Sequence, residues 1–282
     1  IRELLTAEEF NRSADVAYSY VYAGYANRML GDNFCSSVID GGPEVSNTVH
    51  YERGIDHFGA AIPIAQAAGR SNLVNAAYAG RAHMKAMMGD WSGAASDAAQ
   101  VPVDFVFYSE IDTEMRNEIT YETHDRFEYT VWGTYMEDHP DDPRAPWVIA
   151  LNADGSVANG ANGQTPHYQQ KKYTNNNDDV ALSKGTEMLM IRAEAALRSN
   201  DVAGAYTHMN AARAFYGMDP LTPAGDGWED LKFERGATLW LEGRRMGDLR
   251  RWNAEGKDSF FASRDKCLPI AEAERLSNPN IG

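Results

Sequence analysis

The sequence contains no run of about 18 consecutive apolar residues, so it predicts no membrane-spanning helix. Its first residues, Ile1 to Leu5, also lack the basic, apolar and small-residue succession of a secretory signal peptide. We therefore expect that a leader was removed by processing or that the chain starts late. Any lipid anchor would then lie upstream of residue 1.

Positive charge is also scarce. The 282 residues include 26 Lys and Arg against 41 Asp and Glu, which gives a formal net charge of −15. A protein this acidic repels phosphate backbones and anionic lipid heads, so we expect no nucleic-acid partner and no polybasic membrane contact. Neutral or cationic partners are favoured.

There are only two cysteines, Cys35 and Cys267, which are too few and too far apart for a zinc site. They are either two small buried hydrophobic residues or the two ends of one disulfide formed in an oxidising compartment. A disulfide would tie together the two ends of the chain, and we treat the pair as a candidate disulfide.

Catalytic motifs are missing as well. The sequence has no His-Glu-x-x-His, no Gly-x-Ser-x-Gly, no Walker loop and no Gly-x-Gly-x-x-Gly, and its seven histidines are scattered. A glycosidase needs only two carboxylates about 5–10 Å apart, and so acidic a sequence leaves that alternative open. We predict a binding protein without a cofactor rather than an enzyme.

Helical periodicity is what the sequence does contain. In the first segment, apolar and aromatic residues recur close to every 3.6 positions, and Thr6 and Glu9 form a capping-box pattern. Gly, Asp and Asn predict a loop from Gly31 to Pro43. The predicted helices are 6–30, 49–68, 71–88, 92–99 and 228–252.

Two segments, Arg81–Ala94 and Arg192–Ala205, repeat one another at a constant offset. Each predicts a helix, a short turn and a second Ala-rich helix, with Asp90 or Asp201 at the N-cap. Small residues on the facing sides allow two antiparallel helices to approach closely. The pattern is typical of tetratricopeptide-like hairpins, which bury their apolar faces by stacking, and a generic αα-hairpin is the alternative.

Between the two copies, residues 102–184 are rich in Gly, Asn, Pro and Asp and predict an irregular insertion, with one short strand at Val103–Tyr108. An irregular insertion of about 80 residues in a helical frame usually serves a function. We predict a mainly α fold and one domain, 1–282, with helical repeats in 1–101, the loop-rich insertion in 102–184 and a C-terminal repeat with a bracing helix in 185–282.

Opposite charges recur at three- and four-residue spacings in residues 233–252, such as Arg244 with Asp248 and Asp248 with Arg251. If exposed, each pair contributes a few tenths of a kcal/mol to helix stability. Acidic residues between the arginines argue against an anion site. We predict that these pairs are structural.

Three segments, in this order, resemble the SusD/RagB family of outer-membrane nutrient-binding proteins. They are Glu187–Ala195 with the hairpin that follows it, Phe233–Trp252, and Leu268–Glu274 closing with Asn278–Asn280. The resemblance implies a SusD-like α-superhelix at the extracellular face of the outer membrane, which captures glycans or other nutrients with a TonB-dependent transporter. A self-associating structural subunit of an extracellular assembly or filament is the alternative, since the chain is shorter than typical members.

Sugars present flat apolar faces and hydroxyl groups, so their sites combine aromatic rings with polar side chains. The aromatic residues of the insertion are therefore the candidates for ligand binding, although any of them could instead fasten a loop to the frame. The best candidates are Trp132, Trp147 and Tyr168, followed by Tyr135 and Tyr173. Trp91, Trp240 and Trp252 lie on predicted frame helices and are expected in the core.

Two acidic clusters, 138–142 and 175–179, offer hard oxygen ligands that suit calcium. Neither has EF-hand spacing, so a solvated turn is the favoured interpretation. Asp138, Asp141 and Asp142 are the weak calcium candidates.

Overall fold

The computed structural model describes residues 4–112, 114–260 and 266–281, and it is mainly α-helical as predicted. A π-helical turn, Tyr121–Asp125, follows the short α6. None of the helices within these ranges is both long and apolar enough to span a bilayer. The helices are α1 (Ala7–Phe10), α2 (Ala14–Asn33), α3 (Thr48–Ala67), α4 (Ser71–Met87), α5 (Trp91–Ala98), α6 (Glu118–Thr120), α7 (Gly185–Arg198), α8 (Val202–Phe215), α9 (Trp228–Thr238), α10 (Arg245–Ala254) and α11 (Glu272–Ser277).

Among the residues that the structure describes, six short strands form three antiparallel pairs. They are β1 (Ser36–Val38) with β2 (Glu44–Ser46), β3 (Val106–Ser109) with β6 (Val180–Lys184), and β4 (Trp147–Ile149) with β5 (Tyr168–Gln170). The predicted strand from Val103 starts later, because the amide of Phe105 donates to the carbonyl of Pro102 and closes a turn. The β3–β6 pair brings the two ends of the insertion together.

The frame is a stack of helices in which α2, α3, α4, α5, α7 and α8 each pack against the next. The two predicted copies are the hairpins α4–α5 and α7–α8, which confirms the tetratricopeptide-like repeat. In each hairpin an aspartate caps the second helix: Asp90 accepts from the amide of Gly93 at 2.9 Å, and Asp201 from that of Gly204 at 2.8 Å. A Cβ on Gly93 would lie 2.1 Å from the Asp90 carboxylate, so the repeated glycine makes room for the cap.

Phe58 on α3 is fully buried and fills the space between two neighbouring helices. A Cβ at Gly24 on α2 would come within 2.6 Å of its ring, and one at Gly80 on α4 within 2.2 Å. Backbone atoms of α2 and α4 therefore approach the Phe58 ring directly. The two glycines set the close spacing of these three helices.

The prediction of one helix from Thr6 to Leu30 is wrong. The capping box of Thr6 and Glu9 starts only the short α1. Ser13 provides a second N-cap, accepting from the amide of Val16, so a new helix begins there. That helix, α2, continues to Asn33 and includes the first three residues of the predicted loop.

The single helix predicted over 228–252 is also wrong, since α9 ends at Thr238 and α10 begins at Arg245. Between them, Leu241 and Gly243 have left-handed backbone conformations, with φ of 56° and 77°. Such residues cannot continue a right-handed helix. The turn 239–244 directs the side chain of Glu242 into the protein, where it is buried.

The charged residues of 233–252 are structural as predicted, but the central ones are buried rather than exposed. Asp248 pairs with Arg235 at 2.7 Å and with Arg251 at 3.2 Å, whereas Arg244 lies 3.5 Å from Glu187 instead of pairing with Asp248. Removing one partner of a buried pair typically costs about 3–5 kcal/mol, because the other charge is left uncompensated.

His83 on α4 extends this buried network to the first helices. Its ring nitrogens lie 3.1 Å from Asp32 and 3.3 Å from Glu187. Burial opposes the charged imidazolium, but the two carboxylates outweigh it and raise the pKa of His83. His83 therefore joins α2 to α7 through charge.

Cys35 and Cys267 are joined by a disulfide with a Cα–Cα distance of 5.1 Å. Backbone hydrogen bonds surround it: the amide of Cys35 donates to the carbonyl of Leu268, and the amide of Leu268 donates to that of Asn33. The C-terminal segment is thus attached to the end of α2.

Candidate functional site

Three aromatic rings project from one short segment of the insertion, and we call Tyr129, Trp132 and Tyr135 the aromatic ridge. Tyr129 exposes 65% of its surface and Trp132 exposes 43%. In the ranges that the structure describes, the Trp132 indole has no stacking, cation or hydrogen-bond partner. One face of the Tyr135 ring is covered by Arg245, whose guanidinium lies 4.6 Å from the ring centre.

The ridge is held by backbone and hydroxyl hydrogen bonds to β5 and the residues before it. The Thr130 hydroxyl donates to the carbonyl of Pro166 at 2.9 Å and accepts from the amide of Tyr168 at 2.8 Å. The amide of Val131 donates to the carbonyl of Tyr168 at 2.9 Å. These bonds fix the segment from which Trp132 projects.

Trp147 and Tyr168 lie together beneath the ridge. Their rings stack with centroids 5.0 Å apart and an interplanar angle of 5°. The Trp147 indole N–H donates to the carbonyl of Met136 at 3.0 Å, and both rings pack against a small core that includes Val131 and Met136. With their faces against each other and their edges half-buried, these two residues support the ridge.

Tyr135 is anchored at its other end. Its hydroxyl donates to the carbonyl of Gly236 on α9 at 2.9 Å, and burial raises its pKa to about 12. Tyr135 therefore combines an anchoring role with a partly exposed ring edge. The four residues Trp132, Trp147, Tyr168 and Tyr135 are thus gathered in one region.

The fifth candidate, Tyr173, lies apart from the ridge. It is buried, and burial raises its pKa well above the usual range for tyrosine. It contributes to a second feature, which we call the open cleft and which has a volume of about 650 Å³. The cleft is lined by Val106, Tyr108, Pro143, Arg144, Pro146, Lys171, Lys172, Tyr173, Asp178, Asp179, Ala181, Lys184, Phe215, Tyr216 and Glu242.

Two lysines share one carboxylate on the floor of the open cleft. The ammonium groups of Lys172 and Lys184 both lie 2.6 Å from Oε1 of Glu242. Burial disfavours the charged ammonium and lowers the pKa of Lys172 to about 8, although Glu242 opposes this shift. Burial also works against the Glu242 carboxylate, but the neighbouring lysines outweigh it and lower the pKa of Glu242.

The calcium candidates line one pocket, but their carboxylates are not grouped as metal ligands in the part of the chain that the structure describes. Asp142 is engaged by Arg144, whose guanidinium lies 2.6 Å from its carboxylate and also pairs with Glu234 at 2.5 Å. Across 4–112, 114–260 and 266–281, no three His, Cys, Asp or Glu side chains are grouped so that they could hold a metal ion. Asp138 and Asp141 line a separate pocket with Asp142.

Several residues of these two surfaces were not predicted from the sequence. Tyr129 lies three positions before Trp132 and could have been included, because both fall in the same irregular segment. Glu242 lies in a charged motif that predicted only bracing. Tyr108 is the next-to-last residue of β3 and Phe215 is the last residue of α8, and nothing in their local sequence marks them as cleft residues.

Comparison with known proteins agrees with the fold. The SusD family model matches residues 161–278. Comparison with curated protein sequences finds no match. The SusD-like structures that resemble the chain span more of it than the family model does.

Three solved structures illustrate the likeness. The surface glycan-binding protein A from Bacteroides uniformis superposes with a TM-score of 0.67 at 16% identity, over 100% of this chain and 79% of its own. A SusD-like protein from Bacteroides thetaiotaomicron superposes with a TM-score of 0.68 at 12% identity, over 93% of this chain and 76% of its own. A SusD-like carbohydrate-binding protein from Bacteroides fragilis superposes with a TM-score of 0.61 at 14% identity, over 88% of this chain and 68% of its own.

The chain therefore has a SusD-like helical fold. The resemblance to the SusD/RagB family drawn from the sequence is confirmed, by the family model over residues 161–278 and by the shared fold over most of the chain.

Proposed function

We propose that this protein binds glycans at the cell surface and that the aromatic ridge contacts the ligand. The observation that carries the proposal is the Trp132 indole, which is exposed at 43% and has no partner in the described part of the chain. The flat face of an exposed indole suits the apolar C–H surface of a sugar ring.

Rigidity of the ridge supports the same proposal. Thr130 and Val131 tie the segment to the strand region around Tyr168, and the Trp147–Tyr168 stack lies beneath it. A ring that is already held in place loses little conformational freedom when a ligand binds, so more of the stacking energy appears as affinity. The SusD-like class, with glycan-binding members among its solved structures, points to the same ligand chemistry.

Titration of Trp132→Ala with a panel of oligosaccharides in a calorimeter tests the proposal. We expect binding at the ridge to weaken by about 5- to 150-fold, because loss of a stacking aromatic typically costs about 1–3 kcal/mol. Tyr18→Ala is the matched control, since Tyr18 is similarly exposed but lies on α2. Failure of every glycan in the panel to bind the wild-type protein would refute the proposal.

From the family resemblance we also propose that the protein lies at the outer membrane and works with a TonB-dependent transporter. A transporter gene beside the gene for this protein, together with co-purification of the two proteins from membranes, is the expected result. Surface labelling of intact cells checks the location. Labelling only after lysis would contradict a position at the extracellular face.

Self-association into an extracellular assembly is the second candidate function, and one exposed apolar surface supports it. The side chains of Val148, Ile149, Leu151 and Val157 are all exposed around the β4–β5 pair. Neighbouring exposed apolar residues mark interaction surfaces in soluble proteins. Light scattering after size-exclusion chromatography distinguishes the candidates, since a monomer at all concentrations would rule out a structural assembly.

A further inference from the structure

We propose that the open cleft is a second saccharide site, which binds a neutral ligand through a vicinal diol held by Lys172 and Glu242. The inference rests on the proposed glycan-binding function, but it concerns a different surface and different residues from the aromatic ridge. Four features of the cleft carry it.

The first feature is an unpaired acceptor. Glu242 is only 4% exposed, and its Oε2 atom is buried with no hydrogen-bond partner among the residues that the structure describes. Its other oxygen, Oε1, receives both lysines. Buried carboxylate oxygens are almost always hydrogen-bonded, so Oε2 calls for a donor that the protein does not supply. Glu242 lines the open cleft, and a small rotation of its carboxylate would present Oε2 to a ligand hydroxyl there.

The second feature is a donor close to that acceptor. The ammonium of Lys172 has three N–H groups and uses two of them, on the carbonyl of Trp240 and on Oε1 of Glu242, each at 2.6 Å. Its side chain remains partly exposed in the cleft. A hydroxyl that accepts from Lys172 beside one that donates to Glu242 is the arrangement of two adjacent hydroxyls on a sugar ring.

The third feature is aromatic. Tyr108 at the end of β3 exposes 44% of its surface, and Phe215 at the end of α8 exposes 48%. Both line the open cleft. Half-exposed rings in a concave site offer apolar faces to the C–H groups of a pyranose, while the floor takes its hydroxyls.

The fourth feature is charge balance, which selects a neutral ligand. Lys171, Lys172 and Lys184 are matched by Asp178, Asp179 and Glu242 in the lining of the cleft. The further cation of the lining, Arg144, is neutralised from outside by Asp142 and Glu234. A carboxylate on the ligand would therefore meet no surplus of positive charge.

Calorimetry with three neutral trisaccharides, maltotriose, cellotriose and xylotriose, tests the inference in the Trp132→Ala background. We expect at least one of them to retain a binding site in this background. Adding Phe215→Ala or Tyr108→Ala should weaken that site at least tenfold, and adding Glu242→Gln should do the same by replacing an acceptor with a donor. Adding Tyr18→Ala should leave it unchanged.

Because Glu242 also braces the frame, circular dichroism must show that Glu242→Gln is folded. The half-exposed Phe215 and Tyr108 keep the inference testable if it is not. Loss of all binding in Trp132→Ala alone would refute the proposed saccharide site in the open cleft. It would leave the proposed glycan-binding function intact. Absence of binding in the wild type would refute both the cleft site and the glycan-binding function. Tighter binding of trigalacturonate than of the neutral sugars would refute the preference of the cleft for a neutral ligand.

Discussion

Removal of the disulfide between Cys35 and Cys267 should destabilise the protein mainly by freeing the unfolded chain. The two residues are separated by 232 positions, and the chain-entropy relation for a loop of that size gives about 5 kcal/mol at 25 °C. Hydrogen bonds between the backbones of Cys35, Leu268 and Asn33 hold the same geometry without the covalent bond. The folded state should therefore survive reduction.

Urea unfolding, followed by tryptophan fluorescence, measures the effect in the oxidised wild type, the reduced wild type and the Cys35→Ser/Cys267→Ser variant. The two forms without the disulfide should agree, and both should show a larger dependence of unfolding free energy on urea, because an unfolded chain without the crosslink exposes more surface. A loss below about 1 kcal/mol with an unchanged urea dependence would refute the reasoning. It would mean that residues 266–281 leave the frame before the frame unfolds.

Three further predictions concern the frame. Gly80→Ala should destabilise it by about 1–3 kcal/mol, because a Cβ there would lie 2.2 Å from Phe58, whereas Gly59→Ala, whose nearest atom would be 3.7 Å away, should be neutral or stabilising in the same urea assay. Asp201→Ala should cost about 1 kcal/mol through the lost N-cap, with a lower melting temperature as the readout. The two carboxylates beside His83 raise its pKa in the folded protein. The stability that this charged histidine contributes to the folded state should therefore be complete below pH 6.5 and fall as the pH rises through the folded-state pKa. Urea unfolding from pH 6 to 9 should show this decline in the wild type and a weaker one in His83→Gln.

The repeat hairpins could be predicted from the sequence because their signals are local. Asp90 and Asp201 each cap a helix through an amide three residues away, and the glycine at that amide recurs in both copies. Such short-range patterns are the same in the sequence and in the fold. The resemblance of 233–252 to a known family added the order of the helices, although not their ends.

The break at 239–244 could not be predicted, because its cause lies far away in the chain. Glu242 turns inward to meet Lys172 and Lys184, which are 70 and 58 residues distant and come from the insertion and its last strand. Periodicity in 228–252 carries no information about those partners. The stacking of Trp147 on Tyr168 is similar, because it depends on the register in which β4 pairs with β5, where Ile149 faces Tyr168.

One residue connects the aromatic ridge with the open cleft. The carbonyl of Trp240 accepts a hydrogen bond from Lys172 on the cleft floor, while its ring packs with Val131 and Met136 under the ridge. Since Trp240 lies in the turn 239–244, the conformation that buries Glu242 also positions the support of Trp132. A substitution that straightens this turn into a continuous helix should therefore weaken both surfaces together, whereas exposed substitutions such as Trp132→Ala and Phe215→Ala should act separately. If the latter two also proved coupled in a double-mutant cycle, the two surfaces would be parts of one continuous binding site.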